Sequence, residues 1–510
     1  MNKIVSKEEF KTDIREKLRN EGKTIALCHG VFDLVHPGHI IHLEQAKGMA
    51  DILVVSITAS KYVRKGPGRP YFDDKMRMKF LAALECVDYV MLSEGYTVDD
   101  IIESVEPDIY VKGEEYANAE NDITGKIVEE KELVEKHGGR VQYTTGQIYS
   151  STRLINTAMS GLPEEVRHYM EDFKTKYSMQ DIRDYAEKAE KLKVLVVGDV
   201  IIDKYTYCNV QGLMSKDMGY SVRIHHSEEY LGGSIAIARH LSSFTDNVTL
   251  LSIMGGEEEI RLRIFEELSD SIKLHFLYSE QVPTIVKHRY LTRNAKREEY
   301  RKVLAVNNIP EKLKYEKEIR KSFLEKLSEK LDNSDVVFLC DFGHGLIDTE
   351  TISLIQKKAK YLVLNCQTNS SNHGLNIITK YTRADVFTVD QRELKLAFPL
   401  DADNEEEGLK ELSKHLQGDG WLTRGSYGAW GIEKNQIKEC PAFTLTVKDT
   451  VGAGDAFFSV AGLYTAVDAP IEVGTFMGNI SGALGANIVG NKESVEKVNV
   501  LKYASTLLNV

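Results

Sequence analysis

Two short stretches of this chain place glycine just ahead of a helix. One is Cys28-His29-Gly30-Val31-Phe32-Asp33-Leu34-Val35-His36-Pro37-Gly38-His39; the other is Asp449-Thr450-Val451-Gly452-Ala453-Gly454-Asp455. The first N–H groups of a helix have no partner inside it, and the aligned peptide dipoles favour negative charge there. Each junction therefore predicts an anion pocket at the edge of a parallel sheet. With 510 residues the chain exceeds what one hydrophobic core supports, so each junction is expected in a domain of its own.

Composition limits the partners. Hydrophobic residues make up 42% and charged residues 28%, as in an ordinary globular enzyme. The net charge of -12 and the lack of a long basic run argue against a nucleic-acid partner. No apolar run approaches the ~20 residues that a membrane span needs. The opening stretch Met1–Arg19 is charged and has no apolar signal core. The six cysteines are scattered without paired spacing, which speaks against a disulfide framework and against a zinc site. A cytoplasmic protein without a membrane partner is expected.

Along the chain, short apolar runs alternate with helical periodicity, so the fold class is α/β. Strands are expected at Thr24–Cys28, Ile52–Ile57, Tyr89–Leu92 and Ile109–Val111, with helices over Pro37–Met49 and Lys75–Leu84. The segment from Gly161 to Leu192 is charged with apolar positions at helical spacing (Val166, Met170, Phe173, Tyr177) and predicts a helical connector. A second α/β domain opens at Val194–Val197 and continues with strands at Val336–Leu339, Tyr361–Leu364, Val386–Val389 and Trp421–Thr423. Weak, polar alternation at Tyr220–His226 and Glu229–Leu231 predicts lid strands. The boundaries expected are 1–160, 161–192 and 193–510.

At the first junction His36 and His39 are three apart and share one face of the helix start. Two imidazoles there donate hydrogen bonds to triphosphate oxygens as charge builds at an attacked phosphorus. Taken alone, the pair is equally read as surface or capping residues, and a zinc reading lacks its further ligands. Together with later matches the stretch resembles the HxGH loop of the cytidylyltransferase-like nucleotidyltransferases. Lys65-Gly66 with Arg69-Pro70 resembles the loop that holds the acceptor phosphate, and Val111-Lys112-Gly113 a strand end with a phosphate-contacting lysine. Tyr149-Ser150-Ser151-Thr152-Arg153-Leu154-Ile155 resembles the second signature, a helix start that binds nucleotide phosphates. The resemblance implies a Rossmann-like domain with His36 and His39 catalytic. Gly30, Val31, Phe32, Asp33, Lys112, Ser150, Ser151 and Thr152 would face the nucleotide, and Lys65 and Arg69 the acceptor. Asp33 and Lys112 are equally consistent with structural roles.

At the second junction glycines let the backbone approach a transferring phosphoryl group, and Asp455 can accept the proton of an attacking hydroxyl. The stretch resembles the DTxGAGD signature of the ribokinase-like, PfkB-type sugar kinases. That resemblance implies a ribokinase-like α/β domain with a small β lid and Asp455 as base. Gly452, Ala453 and Gly454 would form the anion hole; Thr423, Gly425, Gly428 and Asn479 would lie on the nucleotide side. Asp199, Asp203, Gly232 and Gly233 would hold the sugar, and Mg2+ would sit near Asp390 and Glu393. Three positions depart from the family pattern: Ala236 stands where an Asn is usual, His344 where a basic residue is usual, and Asp390 where an Asn is usual.

The combination resembles the bifunctional heptose-7-phosphate kinase and heptose-1-phosphate adenylyltransferase proteins with the two domains in reverse order. It implies ATP and Mg2+ at the kinase site, ATP or CTP at the transferase site, a sugar or sugar phosphate as substrate and a homodimer joined through the lids. Two alternatives stay open: a cytidylyltransferase for a polyol or small acid phosphate, and a kinase-like domain retained for binding or dimerisation without turnover.

Overall fold

The computed structural model describes residues 3–64, 69–113, 127–144, 163–216, 218–268, 271–293, 300–309, 314–369, 372–398, 404–444 and 447–509. The chain forms two compact units, residues 1–163 with 501–510, and residues 164–500.

The first unit is built on five strands, β1 (Ile25–Gly30), β2 (Ile52–Thr58), β3 (Tyr89–Ser93), β4 (Ile109–Gly113) and β5 (Arg140–Thr144). They pair in parallel in the order β3-β2-β1-β4-β5. The strands are near-continuous runs of apolar residues because both faces of the sheet are covered. One face packs Leu27, Val54, Met91 and Tyr110 with Phe10, and the other packs Cys28, Val55 and Ile57 with Leu43 and Leu81.

The second unit holds a nine-stranded sheet and a four-stranded one. The large sheet uses β6 (Val194–Gly198), β9 (Val248–Gly255), β10 (Lys273–Ser279), β13 (Val336–Asp341), β14 (Leu362–Cys366), β15 (Val386–Asp390), β16 (Asp419–Thr423), β17 (Ala429–Glu433) and β18 (Gln436–Cys440). Its order is β10-β9-β6-β13-β14-β15-β16-β17-β18, parallel except for the hairpin β17-β18 at one edge. The small sheet is the lid: β7 (Val200–Leu213), β8 (Tyr220–Gly233), β11 (Ile285–Arg293) and β12 (Tyr300–Asn308), ordered β12-β11-β7-β8. Tyr205, Tyr207, Tyr230 and Leu291 form a small core of its own within the lid.

Two boundaries differ from expectation. The charged segment read as a connector forms helices Glu164–Lys176 and Met179–Ala189, which group with the second unit. Their apolar stripes are the reason: Val166, Met170 and Phe173 are buried, and the Phe173 ring lies 4.3 Å from that of Phe476. At the other end, residues 501–510 group with the first unit. The lid is also larger than expected, since Tyr220 to Gly233 is one unbroken strand paired along the whole of β7.

Candidate active sites

In the first unit the strand order reverses between β1 and β4, and ligands of such sheets bind beyond the carboxyl ends of the strands at that reversal. His29 and Gly30 end β1, Lys112 and Gly113 end β4, and the helix Pro37–Gly48 follows β1. His36 caps that helix, its Nδ1 accepting the Gly38 N–H at 3.1 Å, and Pro37 fills the first helical position. An accepting nitrogen holds no proton, so the neutral ring carries its hydrogen on Nε2. Burial lowers the His36 pKa and keeps the ring neutral. Its Nε2 is buried and has no hydrogen-bond partner among the described residues. A buried donor left alone is costly, and a phosphate oxygen is the acceptor that this position suits. His39 stacks on His36 with ring centroids 3.9 Å apart, and the Phe32 ring lies 5.1 Å from His39. Phe32 takes the left-handed backbone (φ 46°), which folds its ring over Gly30; a Cβ at Gly30 would stand 3.1 Å from it.

Asp33, expected on the nucleotide side, acts as a clamp in the fold. Its Oδ1 accepts the N–H groups of Tyr71 (2.7 Å) and Phe72 (3.1 Å), and its Oδ2 pairs with Arg69 at 3.3 Å. Arg69 is thereby held beside the junction loop, and its Nη2 has no partner among the described residues. Lys112 pairs with Glu130 at 2.7 Å, and the Tyr110 hydroxyl donates to the same carboxylate. Lys65, Ser150, Ser151 and Thr152 lie outside the described residues.

Sequence reasoning missed three supporting groups. Arg77, fully buried, donates to the carbonyls of Val31 and Thr58 and so fixes the junction loop to the end of β2. His29 is held by Ser56 (2.8 Å) and Thr58 (3.3 Å), and burial with Lys112 nearby pushes its pKa down to about 3. His42 bonds Thr144 at 2.7 Å.

In the second unit the carboxyl ends of β13, β14, β15 and β16 face a cavity of about 360 Å³. Its walls include Gly454, Asp455, Asp203, Lys287, Arg289 and Glu393. The helix Ala453–Thr465 starts there, with Gly452 as its cap in the left-handed region (φ 85°). A Cβ at Gly454 would meet nothing within 4 Å, so the first-turn amides are open to the cavity. Asp455 lies half-buried in that turn. Burial chiefly, with Asp203 adding repulsion, pushes its carboxyl up to about 6, against the Gln367 amide, which donates to its Oδ1 at 3.0 Å. Asp449 secures the loop by accepting the N–H groups of Val451 and Gly490.

Asp203 is buried on the lid strand β7, pairs with Arg289 and accepts from Asn491 at 3.1 Å. Gly233 lines the cavity, and Gly232 lies against the Asp203 carboxylate. Thr423, Asp390 and Glu393 line it too. Asp390 and Glu393 form a reciprocal helix cap, and Glu393 also accepts the Thr368 N–H at 3.0 Å. Burial and the neighbouring Asp390 push the Glu393 carboxyl up to about 7. No group of three or more metal-ligating side chains occurs among the described residues. This donor set, with each carboxylate already accepting backbone N–H groups, fits a Mg2+ that keeps its water and arrives with phosphates.

Other expected residues have contacts of their own in the fold. Asn479 donates to the carbonyls of Cys440 (3.0 Å) and Pro441 (3.3 Å), anchoring the end of β18 rather than lining the cavity. Gly425 and Gly428 shape the turn between β16 and β17 and stay out of the cavity wall. Asp199 is buried, its carboxyl raised to about 7 by burial and by Asp341. His344 is buried, and burial with Lys287 nearby lowers its pKa to about 3, so it supplies no charge. The cations come instead from Lys287 and Arg289. Two residues apart on one strand, they share a face, and that alternation was the signal to be found. Ala236 is buried in the helix Ser234–Ser242.

Two α/β units, each with an open helix start at its sheet edge, define a class of protein that moves phosphorus-bearing groups. Residues 27–157 match the cytidylyltransferase-like family, and residues 191–483 match the pfkB family of carbohydrate kinases. The second match covers more than half of the chain, which belongs to the pfkB carbohydrate kinase family. The domain order is thus cytidylyltransferase-like first and kinase second. The bifunctional protein HldE of Syntrophotalea carbinolica is 39% identical over 132 residues, 26% of each chain. HldE of Citrifermentans bemidjiense is 40% identical over 146 residues, 28% of each chain. The chain thus spans under a third of the length of these relatives. Phosphofructokinase-2 from Escherichia coli, a solved structure, is 14% identical with a TM-score of 0.49, covering 62% of this chain and 99% of that one. Among the described residues no helix is long and apolar enough to cross a membrane.

Proposed function

We propose that the chain is a bifunctional sugar-activating enzyme that makes a heptose-type nucleotide sugar. The second unit phosphorylates a sugar or sugar phosphate with ATP. Asp455 takes the proton of the acceptor hydroxyl, the hydroxyl oxygen bonds to the γ-phosphorus, and the bond to the β-phosphate oxygen breaks to release ADP. The open amides at Gly454 and Asp455 hold the migrating charge. The observation that carries this reading is the glycine-opened helix start with Asp455 in its first turn, facing a cavity that also holds Lys287 and Arg289. The two cations favour an acceptor that already bears a phosphate. Mg2+ near Asp390 and Glu393 would screen the charge between nucleotide phosphates.

The first unit joins a sugar phosphate to a nucleoside monophosphate. The acceptor phosphate oxygen attacks the α-phosphorus of ATP or CTP, and pyrophosphate leaves. His36, through Nε2, and His39 stabilise the charge on the reacting phosphates, while Arg69, Lys65 and the start at Ser150, Ser151 and Thr152 hold acceptor and nucleotide. The six free thiols suit a reducing cytoplasm. Exposed apolar residues on the lid, Leu213 (74% exposed), Tyr220 (62%) and Leu304 (55%), support a homodimer closed through the lids. Sedimentation is expected to give a dimer that Leu213→Lys with Leu304→Lys converts to monomer.

The deciding assay follows ADP and pyrophosphate separately with ATP or CTP and a panel of sugars and sugar phosphates. Wild type is expected to form both products. Asp455→Asn is expected to lose ADP formation and keep pyrophosphate release. Absence of ADP with every acceptor would leave the second unit as a binding or dimerisation module.

A further inference from the structure

We infer that Gln367 is the positioning residue of the Asp455 base, and that the Gln367–Thr368 dipeptide sets the spacing between that base and Glu393. The inference rests on the kinase reading of the second unit and adds a residue to it. Gln367 follows directly on β14, and its backbone is held on both sides. Its N–H donates to the Asp341 carbonyl at 2.8 Å, and its own carbonyl accepts from Asn376 at 3.1 Å. The Thr368 hydroxyl donates to the Asn376 carbonyl at 3.0 Å. Asn376 is in turn within 3.3 Å of the buried Asp341 carboxylate, which Tyr381 and Lys380 also hold, at 2.6 and 2.5 Å. A dipeptide anchored in this way has little freedom to swing.

From that fixed backbone two donors reach opposite sides of the cavity. The Gln367 side-chain amide donates to Asp455 Oδ1, and the Thr368 N–H donates to Glu393 Oε1, both at 3.0 Å. Among the described residues no other hydrogen bond to the Asp455 carboxylate is present, so its orientation depends on this one amide. With Oδ1 occupied, Oδ2 is the oxygen left for a substrate hydroxyl. The charged or titratable groups around Asp455 are Asp203 on β7, Lys287 on β11, Cys340 on β13 and Glu393 on the helix Gln391–Ala397. Asp203 and Glu393 disfavour the ionised base, and Lys287 favours it. A neutral donor at 367 supports the carboxylate without adding a further cation to the cavity that Lys287 and Arg289 line.

The test uses the full chain carrying ¹³C-labelled aspartate, with Asp455→Asn to assign the signal. Gln367→Met keeps the length and removes the donor; Gln367→Glu keeps the shape and puts a second carboxylate beside the first. Both are expected to raise the Asp455 titration midpoint, Gln367→Met by about one pH unit and Gln367→Glu by more. The acid limb of the ADP-forming rate should move by the same amount, with kcat for Gln367→Met down about tenfold below pH 6, about twofold at neutral pH, and the KM for ATP unchanged. An unmoved Asp455 midpoint in either folded variant overturns the inference. A wild-type protein that forms no ADP overturns the kinase reading instead, and the carboxyl titration still decides the role of Gln367.

Discussion

Asp455 is held in an environment that its chemistry uses and its fold resists. Burial raises its carboxyl to about 6, so the folded protein binds a proton that the unfolded chain, with an ordinary carboxyl, releases earlier. The sign follows: ionising this group is harder in the fold, and stability declines as pH rises from the usual carboxylate range through about 6. Asp455→Asn removes that penalty. Thermal unfolding is expected to show the variant more stable than wild type at pH 8 and equal to it near pH 4. Equal melting temperatures at both pH values would mean that the carboxylate is not held up by burial. The rate has the opposite need, since only the ionised base accepts a proton. ADP formation should therefore fall about tenfold per pH unit below the midpoint. This residue was legible in the sequence because its neighbours, glycine on one side and an apolar helix on the other, are local. Gln367 was not, because its partner lies in a helix start 88 positions away.

At the level of elements, the helix start Ala453–Thr465 separates two glycines that look alike in sequence. Gly452 has φ 85°, and a Cβ there would come 2.4 Å from the Asn491 Oδ1, while Asn491 itself holds Asp203. Gly452→Ala is expected to destabilise the second unit by about 1–2 kcal/mol through its backbone conformation alone. Gly454 lies inside the helix with open space at its Cβ position. Gly454→Ala should leave the melting temperature unchanged or slightly higher, since alanine favours a helix by up to about 1 kcal/mol. On the proposed kinase reading the added methyl stands where the phosphoryl group meets the amides, so kcat/KM for ADP formation is expected to fall at least about tenfold. A Gly454→Ala protein with full activity would place phosphoryl binding elsewhere. The same contrast explains which elements the sequence revealed. The buried parallel strands β1, β2, β6, β13 and β15 are mainly apolar and stand out. The lid strands β11 and β12 carry Lys287, Arg289 and Lys302 among polar neighbours, and hydropathy gave them no strand signal. Only their period-two spacing would have shown the cationic face.

On the scale of the whole chain, the order of units along the sequence is simpler than their composition. The first unit includes residues 501–510, although its strands end at Thr144. The reason is a terminal helix, Lys497–Leu508, with Leu501, Tyr503, Ala504 and Leu507 all buried. Sequence reading placed this helix with the kinase because nothing in a local pattern tells which unit an apolar stripe will join. Burying a large apolar side chain contributes about 1.5–3 kcal/mol, so losing three of them removes a sum comparable with the net stability of a domain. A chain ending at Val500 is therefore expected to lose pyrophosphate release on mild heating at temperatures where the full chain retains it. ADP formation, carried by residues 164–500, should survive the same treatment for longer. The comparison needs only parallel heat-inactivation curves for the two products. If both activities of the shortened chain decay together, or neither changes, the last ten residues do not belong to the first unit's core.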